Sequence, residues 1–189
     1  MLHLKTISGA GAGRSAAAAW RRLMRCRAGS AAAEFGILLV PFLGLAFLIL
    51  NTALVFFAQQ TLQTATTQAA RLIMTGQAQG MSAAQFKQAV CADATALFDC
   101  GGIYVNVQTY SSFSAIAPPN PIKNGNLDTS GMGFSPGVSG DIEVVQVFYK
   151  WPLFATLLGY NFANLSGNND LLVGTAAFRN EPFSQGLGS

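Results

Sequence analysis

The chain has 189 residues, is 51% hydrophobic and 10% charged, and carries 11 Lys and Arg against eight Asp and Glu with one His. Lys5, Arg14, Arg21, Arg22, Arg25 and Arg27 all precede residue 30, so the net charge of +3 is local; the remainder holds five cations and eight acids, net −3. That balance excludes a basic nucleic-acid-binding surface beyond residue 30.

In chain order, residues 1–20 mix Gly and Ala with scattered cations and predict no packed element. A small-residue step follows, Ala28-Gly29-Ser30-Ala31-Ala32-Ala33, then Glu34, then an apolar run. From Phe35 to Phe57 there is no Asp, Glu, Lys or Arg. As a helix those residues reach about 34 Å, against a hydrocarbon core of roughly 30 Å. The cations lie before this span, which predicts a cytoplasmic amino end and an exported remainder. A secretory signal places its small residues after the apolar core; here they come first, which disfavours cleavage behind the run.

The helix is expected to continue past the membrane, over roughly 31–75. Ala58 to Met74 contains no Gly or Pro, Leu62, Ala65, Ala69, Leu72 and Ile73 recur at helical intervals, and Gly76 is a natural stop. Pro41 lies in the greasy half, where it removes a hydrogen bond and can bend the helix. Ser82 is expected to cap a short helix with Phe86, Val90 and Leu97 as apolar contacts, ending before Gly101-Gly102. Ile103, Val105 and Val107 alternate with Tyr104, Asn106 and Gln108, a half-buried strand. Ala117 to Gly140 is rich in Pro, Gly, Asn and Ser and reads as a long loop, a candidate contact surface or a disordered excursion. Glu143 to Trp151 is apolar on both faces and predicts a central strand. An apolar connection runs through Leu157-Leu158, and Leu171 to Arg179 gives a third strand. The fold class is α+β: a long amino-terminal transmembrane helix extending into a small extracytoplasmic domain with a short antiparallel sheet. The expected divisions are a basic leader (1–29), a membrane and extended helix (30–76, span about 35–57) and the domain (77–189).

Cys91 and Cys100 lie beyond the span in a segment exposed to an oxidising space, whereas Cys26 sits in the leader. A Cys91–Cys100 disulfide accounts for the odd count; two free buried thiols or a metal pair are the alternatives. Metal is disfavoured because His3 is the only His and the spacing of the two cysteines matches no common zinc site. Catalysis finds little. No Ser-His-Asp or Cys-His set can be assembled beyond the leader, no phosphate loop appears, and Asp93, Asp99, Asp141, Glu143 and Asp170 read by default as separate surface carboxylates. The expectation is a non-enzyme without cofactor or metal.

Glu34 is the physical oddity. An acid beside a membrane span costs energy unless it has a partner. One candidate is the partial positive charge at the amino end of the following helix. Gly29, four small residues, Glu34-Phe35 and a long apolar helix together resemble the processing site of type IV pilin-like proteins, specifically the TadE-like pseudopilins of tight-adherence (Flp) pilus systems. The likeness continues through Phe56-Phe57-Ala58-Gln59-Gln60 and Ala69-Ala70-Arg71, and reappears in Ala177-Phe178-Arg179-Asn180-Glu181-Pro182; residues 81–140 carry no matching signature.

The resemblance implies a pilin-like layout and a prepilin peptidase that cuts Gly29-Ser30, with Glu34 as recognised acid and Phe35 as adjoining aromatic. It also implies that Glu34 neutralises the new amino group of Ser30 on its own or a neighbouring chain. The implied protein is a minor pseudopilin of the inner (cytoplasmic) membrane, single-pass, with its carboxyl-terminal domain periplasmic or extracellular. Its implied partners are the bilayer, other pilins or pseudopilins and the pilus assembly machinery. The competing expectation is an uncleaved, single-pass binding module facing the periplasm or cell surface.

Overall fold

The structure, a computed structural model, describes residues 30–118, 120–153 and 163–183. The chain divides into two compact units, 1–47 and 48–189. The described part of the first consists of the early turns of helix α1, Ser30–Met74. The second contains the rest of that helix, helix α2 (Ala83–Ala92), and strands β1 (Ile103–Tyr110), β2 (Ile122–Lys123), β3 (Asn126–Leu127), β4 (Ile142–Pro152) and β5 (Asn169–Arg179). The architecture is α+β, with an antiparallel sheet of order β1-β4-β5 and a separate β2-β3 hairpin.

Helix α1 stops at Met74 because the next turn cannot be continued: Gly76 takes φ +77°, and Ala78 N–H returns to Leu72 O at 2.8 Å. Ser82 then starts α2 through a reciprocal cap, its hydroxyl accepting from Gln85 N–H while the Gln85 side chain accepts from Ser82 N–H. The expected central strand is central. β4 pairs with β1 from Ile103↔Tyr149 to Tyr110↔Ile142, and with β5 from Ile142↔Arg179 to Pro152↔Asn169.

Alternation along β4 sends its residues to two different cores. Val145 and Val147 join Ala58, Leu62, Ala65, Ala69 and Ile73 of α1 and Phe86 and Val90 of α2 in the main core. Phe148 joins Leu127, Leu165 and Leu171 in a smaller cluster. The second cluster adds structure to 117–140, which reads in the sequence as a long loop with little apolar patterning. Asn124 (φ 51°) and Gly125 turn a hairpin that carries Leu127 into the cluster, and Val107 bridges to Phe134. Two-residue strands are too short to leave a period in the sequence. The expected connection through Leu157-Leu158 lies outside the described residues.

Candidate functional site: a helix with two kinds of surface

The first half of α1 has apolar side chains and no protein around them. Phe35, Leu38, Phe42, Ile49 and Phe56 are each more than 60% exposed, and only 6% of the most apolar window, of mean hydropathy 2.4, is buried. A soluble domain does not present a surface of that kind to water, since each Å² of apolar area left wet costs roughly 25 cal/mol. Its backbone suits a hydrocarbon phase, because a helix satisfies its own N–H and C=O groups. Pro41 is accommodated within the helix without ending it.

Gly29 lies outside the described residues; Ser30 opens the described helix, and Glu34 and Phe35 follow on it, both exposed. The chain is already helical at Ser30, so a full turn precedes Glu34 and no acid occupies the first turn.

In the second half of α1 the covering changes from nothing to sheet. Ala58, Leu62, Ala65, Thr66, Ala69, Ala70 and Ile73 are all at most 3% exposed. Four of those seven are Ala, which lets the helix axis approach the strands closely. Closest approach is at Gly174 of β5, where a Cβ would lie 2.1 Å from Thr66 Oγ1 and 3.0 Å from the Leu62 carbonyl oxygen. Beside this contact two glutamines clasp the edge of β5. Gln63 Nε2 donates to Thr175 O at 2.8 Å while Thr175 N–H donates to Gln63 Oε1 at 3.0 Å, and Gln59 Nε2 donates to Val173 O at 2.8 Å. The side chains stand in for a neighbouring strand and cover backbone groups that would otherwise recruit one. Gln59 and Gln63 read in the sequence only as polar helix positions. Gly174 left a detectable trace, a glycine inside an apolar strand, which marks close backbone approach.

The expected disulfide is formed. Cys91, at the end of α2 and 5% exposed, joins Cys100 with Cα atoms 5.6 Å apart, inside the normal range. It fixes the exit of α2 to the start of β1, where Lys87 Nζ donates to Gly101 O at 3.2 Å. Phe98, inside the loop closed by the disulfide, packs edge-on against Tyr149 of β4 at 4.8 Å. No group of three or more His, Cys, Asp or Glu is placed to hold a metal among the described residues.

On the sheet face opposite α1, the 120–133 excursion covers a pair of amides. Asn106 Nδ2 donates to Gln146 Oε1 at 3.2 Å and Gly133 N–H donates to Asn106 Oδ1 at 3.0 Å. The small cleft they line is edged by the Lys123–Asp128 ion pair. Lys123, followed by the Ser130 hydroxyl and N–H, holds the Asp128 carboxyl far below the ordinary carboxylate range. The default of surface carboxylates fails elsewhere. Glu143 is fully buried, and burial pushes its carboxyl up to about 7 against the Thr109 hydroxyl that favours its charge. Burial likewise raises Asp170, opposed by Leu171 N–H and Asn164.

Together the fold and the uncovered helix define a membrane-anchored α+β protein, α1 being the one helix among the described residues long and apolar enough to cross a bilayer. A family model described as TadE-like protein matches residues 29–71, which take in Gly29, Glu34, Phe35 and nearly all of α1. The resemblance read from the sequence therefore holds over this stretch, which is similar to the TadE-like family, while the rest of the chain is not matched. Neither the curated proteins nor the solved structures contain a significant match.

Proposed function

We propose that the chain is a minor pseudopilin that assists assembly of a tight-adherence pilus after a prepilin peptidase cuts Gly29-Ser30 on the cytoplasmic side. The observation that carries this reading is the pairing of a TadE-like match beginning at Gly29 with a helix whose first half is apolar and uncovered. Cleavage creates an α-ammonium at Ser30, and Glu34 supplies the opposite charge on its own or an adjacent chain. The exposed side chains from Phe35 to Phe57 then exchange lipid contact for contact with the helices of other subunits, which costs little because lipid tails and Leu or Phe side chains are equally apolar. In this mechanism the domain carries no catalytic step. It is held on the periplasmic or extracellular side, with the six leader cations retaining the amino end inside.

Amino-terminal sequencing of protein from membrane and sheared-surface fractions tests the proposal. A first residue at Ser30 supports assembly; an intact leader in cells with an active peptidase contradicts it and favours the uncleaved anchor. Gly29→Leu is expected to block the cut and leave a slower-migrating band, because the scissile glycine must enter the peptidase without a side chain. Glu34→Ala is expected to insert normally and to fail in assembly. A variant that does not insert would refute the assigned role.

A further inference from the structure

Glu143 is fully buried on the face of β4 that packs toward α1, and among the described residues it forms no ion pair. Its Oε1 accepts from Thr109 Oγ1 at 2.9 Å, while its Oε2 is buried without a hydrogen-bond partner. The other buried side-chain atom without a partner among the described residues is Asn180 Oδ1, on a residue 3% exposed. Both side chains meet the backbone around Gly137. Asn180 Nδ2 donates to Pro136 O at 3.2 Å and Val138 O at 3.0 Å, the carbonyls on either side of Gly137, so its amide orientation is fixed. Gly137 in turn lies directly against the carboxyl: a Cβ there would fall 1.9 Å from Glu143 Oε1. Its φ of +57° and the absence of a side chain are both needed for the 136–141 segment to close over Glu143. Each buried acceptor without a donor carries a penalty, and a single proton shared between the two residues would remove both.

We propose that Glu143 is a neutral acid donating its Oε2 proton to Asn180 Oδ1, and that loss of this proton unfastens the 136–141 strap, a pH-operated latch on the exported domain. The strap is tied at several points the latch would free. Gln79 Nε2 donates to Gly137 O at 2.9 Å, Arg179 Nε to Gly140 O at 2.8 Å, and Asn180 N–H to Asp141 O at 2.8 Å. Glu181 N–H donates to Met74 O at 2.9 Å, so the exit of β5 is bound to the end of α1 through the same corner.

The charged groups around Glu143 favour the neutral form. Asp141 is the acid nearest to it, and its charge adds to the effect of burial in holding the proton on. On β1 the neighbouring Tyr110 hydroxyl is turned to Gln108 Oε1. On β5 the residue opposite Glu143 is Phe178; Arg179 alternates to the other face and spends its Nε on Gly140 O. Arg71 in the last turn of α1 and Glu181 are both exposed.

The chain has three glutamates, Glu34, Glu143 and Glu181, so carbon NMR of the full-length, detergent-solubilised protein labelled at glutamate Cδ reads each one. The signal missing in Glu143→Gln is expected to titrate near 7, well above the ordinary carboxylate range. Thr109→Val, which removes the donor to the charged form, raises that midpoint, whereas Asn180→Ala, which removes the proton acceptor, lowers it. Amide exchange of residues 137–141 is expected to accelerate between pH 6 and 8 by more than the roughly tenfold per unit of base catalysis, and Glu143→Gln abolishes the excess. A midpoint in the ordinary carboxylate range near 4.5, a midpoint unmoved by Thr109→Val, or strap exchange with the same pH profile in Glu143→Gln would overturn the latch.

Discussion

The two halves of α1 have the same secondary structure and opposite relations to the rest of the chain. Residues 35–57 are rich in large apolar side chains, most of them exposed until Val55 meets the main core, whereas 58–74 alternate Ala, Leu and Ile with Gln and Thr and are covered on one side by sheet. Helical propensity does not separate them; the size and polarity of side chains do. Large apolar side chains on every side suit a medium that surrounds the helix. A stripe of small ones suits a flat sheet on one side and water on the other. One continuous element can therefore pass from a bilayer into a domain with no linker.

The contrast breaks most severely at Gly174. Gly174→Leu is expected to cost about 3 kcal/mol or more, because the colliding atoms include the Leu62 backbone oxygen, which cannot rotate away. Thermal melting of the domain reads the loss. Replacing Cys91 and Cys100 by Ser should remove roughly 2 to 3 kcal/mol, in line with the closure of a nine-residue separation, measured by denaturant titration with and without reductant. Gln63→Leu should cost on the order of 1 kcal/mol by exposing Thr175 N–H and C=O, and should favour edge-to-edge association visible by light scattering.

The pH dependence has a definite sign. Glu143 has its carboxyl raised from 4.5 to about 7 in the folded state. Stability is therefore unaffected by this group below about pH 4.5, falls as pH rises toward 7, and is flat above it. Glu143→Gln should remove that fall and melt higher than the parent at pH 8. The smallest effect is expected in the outer half of α1: Leu38→Ala should change domain stability by less than about 0.5 kcal/mol while weakening membrane partition.

Much of this was legible in the sequence because it rests on periodicity. The apolar run and the three long strands each sustain a pattern over enough residues to be read, and the helix end at Gly76 and the Ser82 cap are local signals carried by residue type. What was not legible depends on contact between distant segments. Glu143 reads as an ordinary acid until Gly137 closes over it and Thr109 and Phe178 flank it in the sheet. The β2-β3 hairpin is too short to show a period, and the glutamine clasp depends on which edge of β5 meets α1. Glu34 was placed by its neighbours in the sequence, and the helical turn ahead of it is visible only in the structure.

The division of α1 is tested most directly by a lipid-soluble photoactivatable probe applied to the full chain in membranes, with labelled residues located by mass spectrometry. Labelling is predicted on side chains between 35 and 57 and absent from the sheet-covered positions Leu62, Ala65, Ala69 and Ile73. Equal labelling of both sets, or none on the first, would contradict the account.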